Sequence, residues 1–144
     1  MRFWDSSAIA PLFAEEAARE RLLKLLDEDA GIVAWWGPPV EIASALARRE
    51  REGLMTAEEV AASLTAARSL ALNWHEVAPS ESLRRSAERL LRVHSLRAAD
   101  SLQLAAALVA ANHDPQSIEF VCLDARLAAA AQREGFAVLG IRTA

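Results

Sequence analysis

The chain contains one cysteine, Cys122, and one lysine, Lys24. A lone cysteine forms neither an internal disulfide nor a cysteine metal cage, so nothing points to an oxidising compartment, and core packing is its ordinary role. The five glycines, Gly31, Gly37, Gly53, Gly135 and Gly140, lack the spacing of a dinucleotide-binding turn or a P-loop, which excludes the common glycine-rich phosphate cradles. Long apolar runs are also missing. The longest, Leu102 to Ala111, is interrupted by Gln103 and falls far short of the ~20 residues needed to cross a bilayer. Asp5, then Glu15 and Glu16, break any signal-peptide pattern at the N-terminus, so a cytoplasmic protein is expected. His75, His94 and His113 are widely spaced and match no zinc pattern; they read as surface or packing residues. A net charge of -4 argues against a broad polyanion-binding face and leaves only local nucleic-acid contacts open.

What is present suits one domain with a single core. A chain of 144 residues buries roughly two thirds of its unfolded surface, and its apolar content of 53% is weighted toward alanine, a helix former. Two stretches share one form. Arg2-Phe3-Trp4-Asp5-Ser6-Ser7 and Val121-Cys122-Leu123-Asp124-Ala125 are each a short apolar run that ends on an aspartate and turns into helical pattern. Three more β-rich runs follow the same spacing rules: Ile32 to Trp36, Trp74 to Val77, and Phe136 to Leu139.

Helical pattern fills the intervals. It covers Ser6 to Asp27, with a break near Pro11 and Leu22, Leu23, Leu25 and Leu26 on the buried side. It continues from Pro39 to Glu52, where proline suits the first turn, and from a capping box at Thr56 to Glu59 as far as Leu72. Further helices are expected from Ser80 to Val93, from Ala98 to Ala111 and from Ala125 to Glu134, the last stopped by Gly135. Strands alternating with helices imply an α/β fold: a parallel sheet of about five strands with helices on both faces. Every strand-to-helix junction of such a sheet lies at one edge, and ligands collect where neighbouring strands leave in opposite directions. Asp5 and Asp124 lie at such junctions. Glu41 and Asp100, in first turns of helices, can face the same edge.

Each acid taken singly has a plain explanation, since Asp124 and Asp5 suit caps and Glu41 and Asp100 complement helix dipoles. Four carboxylates in one crevice with no lysine beside them in sequence would repel one another, and a hard divalent cation relieves that repulsion. Magnesium and manganese prefer carboxylate and water oxygens and pair with phosphate substrates. The chemistry implied is metal-assisted attack of water on a phosphodiester.

Asp5-Ser6-Ser7, Glu41, the segment Arg97-Ala98-Ala99-Asp100-Ser101-Leu102-Gln103-Leu104-Ala105 and the segment Leu123-Asp124-Ala125-Arg126-Leu127 together resemble the PIN-domain family. More narrowly, they are similar to VapC-type toxins of bacterial toxin–antitoxin pairs, and the resemblance spans essentially the whole chain. It implies a Rossmann-like sheet and a magnesium-dependent endoribonuclease, with manganese as substitute. It also implies a homodimer, a small antitoxin partner, and an acidic pocket of Asp5, Glu41, Asp100 and Asp124. Asp5 and Asp100 would hold the metal, and Glu41 and Asp124 would do so directly or through water. The family often carries histidine where Gln103 stands and a hydroxyl residue where Cys122 stands. Neither change removes an expected ligand, and the second is expected to loosen a hydrogen bond that orients Asp124. Ser7 fits either a supporting position of the first motif or a buried turn.

Other features have two readings. Trp4, Trp35, Trp36 and Trp74 suit a core or an interface, and base stacking is the rival use. Arg85, Arg89 and Arg92 fall on one side of their helix, either as a solvated face or as a phosphate stripe. An aspartyl phosphatase is disfavoured because Ser7 stands where its second acid belongs, and a receiver domain because Trp74 to Val77 ends on no aspartate. The non-enzymatic alternative is a catalytically inactive PIN-like domain that serves as a protein-binding partner.

Overall fold

The computed structural model describes residues 1–14 and 17–141. Glu15 and Glu16, which fall within the first expected helix and the expected N-terminal pattern, lie outside the described residues. The five expected strands are all present: β1 (Arg2–Trp4), β2 (Ile32–Trp35), β3 (His75–Val77), β4 (Phe120–Val121) and β5 (Val138–Leu139). They form one sheet in the order β3-β2-β1-β4-β5, and every pairing is parallel. The chain therefore builds outward from β1 in one direction through β2 and β3, then returns to the other side of β1 for β4 and β5. The β1–β4 seam is the reversal point.

Helices α1 (Ser6–Ile9), α2 (Arg19–Glu28), α3 (Pro38–Arg51), α4 (Ala57–Ala71), α5 (Glu81–Val93), α6 (Ala98–Ala110) and α7 (Ala125–Glu134) occupy the connections. Side chains alternate across a strand, and β1 shows the consequence in two adjacent residues, both fully buried. Phe3 packs on the face covered by α5, α6 and α7, among Leu83, Leu90, Leu104 and Leu127. Trp4 packs on the face covered by α1 to α4, among Ile9, Leu22, Ile42 and Leu46. The apolar pattern of a strand buried on both faces is what a doubly covered parallel sheet requires.

Two expectations about the first helical stretch need correction. The expected break is larger than a kink, because the α-helix stops at Ile9 and Ala10–Phe13 form a 3-10 turn with Pro11 in its first turn. The proline ring cannot supply the N–H that would continue the ladder. In α2 only Leu22 is fully buried; Leu25 and Leu26 are half-buried, and Leu23 is exposed. Among the described residues no helix is long and apolar enough to cross a membrane.

Candidate functional site

The sheet delivers two aspartates side by side. Asp5 follows β1 directly, its backbone N–H donates to the Val121 carbonyl of β4 at 3.2 Å, and its side chain caps α1. Asp124 follows β4 and caps α7, with Oδ1 accepting the Leu127 N–H at 2.9 Å. Capping and site membership coexist here. Each capped carboxylate still has lone pairs to offer, since an ionised carboxylate accepts at about four positions.

Ser7 ties the two junctions together. Its N–H donates to Asp5 Oδ2 at 3.1 Å and its hydroxyl to Asp5 Oδ1 at 2.8 Å. The same hydroxyl accepts the Leu123 N–H at 2.9 Å and the Asp124 N–H at 3.2 Å. Of its two sequence readings, the supporting one describes what it does. Cys122, expected to leave Asp124 less well oriented, is fully buried and its thiol donates to the Asp124 carbonyl at 3.3 Å. Burial pushes that thiol up, and the neighbouring Asp5 charge raises it further. The sulfur stays protonated as a donor, so the Asp124 backbone is held by both Ser7 and Cys122.

Asp100 enters from α6. Arg97 is the N-cap of that helix, so Asp100 stands in its first turn, half-buried. Burial raises its carboxyl above the ordinary value and the charge of Asp124 adds to that, against a backbone hydrogen bond from Arg97 and the charges of Arg97 and Arg126. Asp5 is raised further, to about 7, chiefly by burial; hydrogen bonds from Ser7 and Cys122 oppose the rise and the charge of Asp124 adds to it. Asp124 thus acts on both neighbours, and three of the four acids share one electrostatic environment.

Glu41 reaches the group through an intermediary. Gln103, on the turn of α6 after Asp100, is 2% exposed. Its Nε2 donates to Ser6 Oγ at 2.7 Å and to Glu41 Oε2 at 3.3 Å, joining the first turn of α3 to the residue after Asp5. In the sequence Ser6 enters only as part of the Asp5-Ser6-Ser7 stretch, and Gln103 as a break in an apolar run and a departure from the family pattern. The available signal is that Gln103 interrupts the apolar run from Leu102 to Ala111. Gln103 Oε1 is buried with no partner, so it still requires a donor.

The donor set suits a hard cation, because it consists of carboxylate oxygens that repel one another, beside an orphaned acceptor that the waters kept by magnesium can satisfy. Among the described residues no three acids, histidines or cysteines stand as a ready-made coordination shell. The described residues therefore do not bring the four expected ligands into one coordination shell.

The remaining candidates are distributed differently. Trp4, Trp35 and Trp74 are core residues as expected, whereas Trp36 is 54% exposed. It stands immediately after β2, which ends at the buried Trp35. His94 is buried and its Nε2 lies 2.7 Å from Glu134 Oε2; His75 and His113 are exposed. Arg85 pairs with Glu81 at the surface, whereas Arg89 reaches the half-buried Glu134 of α7, so the two arginines do not share one plain solvated role.

No family model matches the chain, and no curated protein matches it. Among solved structures it is similar to the crystal structure of FitAcB from Neisseria gonorrhoeae, with a TM-score of 0.66 and 16% sequence identity over 96% of this chain and 96% of that one. At this identity the likeness concerns the fold, which is PIN-like: a Rossmann-like parallel sheet covered on both faces.

Proposed function

We propose that this chain is a magnesium-dependent endoribonuclease, the toxin of a toxin–antitoxin pair, with manganese as a working substitute. The observation that supports the reading is the Ser7 junction at the β1–β4 reversal point, where its hydroxyl donates to Asp5 Oδ1 at 2.8 Å and accepts the Asp124 N–H at 3.2 Å, so that two of the acids share one anchor. Asp5 and Asp100 would hold the ion, with Glu41 and Asp124 acting directly or through water. When bound, the ion supplies charge neutralisation at the phosphodiester and acidifies water for in-line attack. The chain's own residues do the positioning. Ser7 fixes Asp5 and the Asp124 backbone in one rigid unit, and Gln103 holds Glu41 toward Ser6. Such a unit keeps ligand geometry without reorganisation when substrate arrives.

The direct test is cleavage of single-stranded or looped RNA by highly purified protein. Magnesium or manganese should support it, chelation should abolish it, and Asp5→Asn and Asp100→Asn should each remove it. Equal cutting in excess chelator would overturn the mechanism.

A protein partner is part of the same reading. Between α3 and α4 lies an apolar groove of about 580 Å³ lined by Pro39, Ile42, Leu64 and Trp74, with Val40 69% and Leu72 87% exposed at its rim. Contiguous apolar surface of this kind marks protein contacts. An antitoxin seated there, with an arginine or lysine extended into the acidic site, would replace the metal's charge and silence cleavage. Undiminished cleavage in a saturated antitoxin complex would remove the inhibitory role. The chain is also proposed to dimerise with itself, and light scattering that shows only monomers across micromolar concentrations would remove the dimer. The same groove favours the second reading, an inactive PIN-like domain that only binds a partner; metal-dependent cleavage lost in Asp5→Asn decides against it.

A further inference from the structure

A buried amide links α1, α3 and α6. Gln103 of α6 is 2% exposed, nearly as covered as Leu104 beside it, yet it carries both donors and an acceptor. Its Nε2 donates to Ser6 Oγ of α1 at 2.7 Å and to Glu41 Oε2 of α3 at 3.3 Å. Among the described residues no other group bonds the Glu41 carboxylate. Ser6 directly follows Asp5, and Gln103 lies three positions after Asp100, the spacing that puts two residues on one face of a helix.

The orientation of this amide has a cost and a cause. Nε2 is used twice while Oε1 is buried with no partner, and a buried acceptor left unpaired is unfavourable. Turned over, the amide would let Oε1 accept the Ser6 hydroxyl proton, but it would then set that oxygen against Glu41 Oε2, two acceptors with no proton between them. The carboxylate, an acceptor only when ionised, selects the orientation in which Nε2 faces it. Methionine at this position would fill similar space and leave no orphaned oxygen, so packing of α6 does not account for an amide here.

We propose that Gln103 is a positioning residue of the ribonuclease site: it ties the Glu41 carboxylate to the start of α1, the helix that Asp5 caps, and thereby raises the affinity of the acids for a divalent cation. The inference rests on the metal-dependent reading and adds to it a residue that acts through Glu41 rather than on the ion or the RNA. Glu41 is half-buried in the first turn of α3, and without the amide its side chain would be free to change rotamer. Ordering it in advance removes that entropy loss from cation binding. Partners that orient a metal's ligands contribute roughly 10- to 100-fold in affinity or activity.

The test measures cation binding, folding and the amide itself. Gln103→Met keeps the length of the side chain and removes both the donor and the orphaned oxygen. In chelator this variant should melt at or above the parent temperature, whereas its affinity for manganese alone, titrated by electron paramagnetic resonance of the free ion, should fall roughly 10- to 100-fold. In a Glu41→Gln background the same substitution should cost less than about 2-fold, because a residue that acts through Glu41 then has no carboxylate to position. The magnesium concentration for half-maximal cleavage should rise in step, with the rate at saturating magnesium less affected. Equal manganese affinity in parent and Gln103→Met, or a loss of the same size with and without Glu41→Gln, would overturn the role while leaving the nuclease reading in place. If Gln103→Met does not fold, the parent decides: its Gln103 side-chain amide protons should exchange slowly and shift on Glu41→Gln in proton–nitrogen correlation spectra, and fast exchange or no shift would overturn the hold on Glu41. A parent that binds no manganese would remove the metal site itself, and this role with it.

Discussion

The Ser7 hydroxyl donates to Asp5 Oδ1 at 2.8 Å and turns its lone pairs toward the opposite junction, where it accepts the Asp124 N–H at 3.2 Å. One hydroxyl has one proton and two acceptor positions, and with the Leu123 N–H all three are in use. Ser7→Ala therefore strands two backbone donors and removes a bond to a buried carboxylate. The expected loss is about 1–3 kcal/mol of stability, measured by denaturant unfolding, together with reduced cleavage. An unchanged unfolding midpoint would show that the hydroxyl does not clamp the two junctions.

Asp5 makes the metal-free protein sensitive to pH in a defined direction. Burial raises its carboxyl from 3.8 to about 7, so the native state holds the proton more tightly than the unfolded chain does. Below about pH 4 both states are protonated and there is no penalty. Between the two values the unfolded chain ionises first and native stability falls, until the penalty is complete above about 7. From pH 5 to pH 8 the Asp5 contribution should cost on the order of 2 kcal/mol. Asp5→Asn keeps an acceptor for Ser7 and removes the charge, so it should be more stable than the parent at pH 8 in chelator, by a margin that shrinks toward pH 5. Parallel stability profiles for the two proteins would contradict the raised carboxyl.

Magnesium should raise the melting temperature of the parent at pH 8, because an ion that binds only the native state stabilises it. Replacing Asp5 or Asp124 by alanine mixes two effects, since both side chains also cap helices and loss of a cap costs about 1 kcal/mol. Asp100→Asn separates them. It keeps an acceptor for the Arg97 backbone and removes a charge that faces Asp124, so the metal-free variant should melt at or above the parent and respond less to magnesium. If the parent shows no magnesium response and Asp→Ala at 5, 100 and 124 each cost about 1 kcal/mol, the acids are separate caps rather than a shared site.

The junctions that carry Asp5 and Asp124 were legible because their markers are local. Apolar runs ending on Asp5 and Asp124 define strand-to-helix junctions, and parallel strands place all such junctions at one edge. The details that were not legible are tertiary. Gln103 meets Ser6 across 97 positions of chain, and no periodicity reports which polar group a buried amide will find. Trp36 is exposed beside buried Trp35, and local composition does not separate the two, because tertiary packing decides which indole is covered. The stop at Ile9 was half legible: Pro11 signals a break, while its extent depends on how the 3-10 turn packs.

Away from the acids, Glu134 anchors the end of α7 to α5. Its Oε2 lies 2.7 Å from His94 Nε2 and its Oε1 accepts from Arg89 Nη2 at 2.9 Å. Burial alone would raise this carboxyl, but the hydrogen bonds from His94 and Arg89, with the charges of both, outweigh it and bring it below the ordinary value. A depressed carboxyl contributes stability that is present above its unfolded value of 4.5 and is lost as pH falls through the folded value. Glu134→Gln should therefore cost roughly 1.5–3 kcal/mol at pH 7, the range for a hydrogen bond to a charged group, and the gap between variant and parent should narrow below pH 4. RNA cleavage at pH 7 should persist in the folded fraction, because Glu134 caps no site residue and stands at the opposite end of α7 from Asp124. A urea midpoint for Glu134→Gln equal to the parent's at pH 7 would show that the His94–Glu134–Arg89 cluster contributes nothing to the docking of α7.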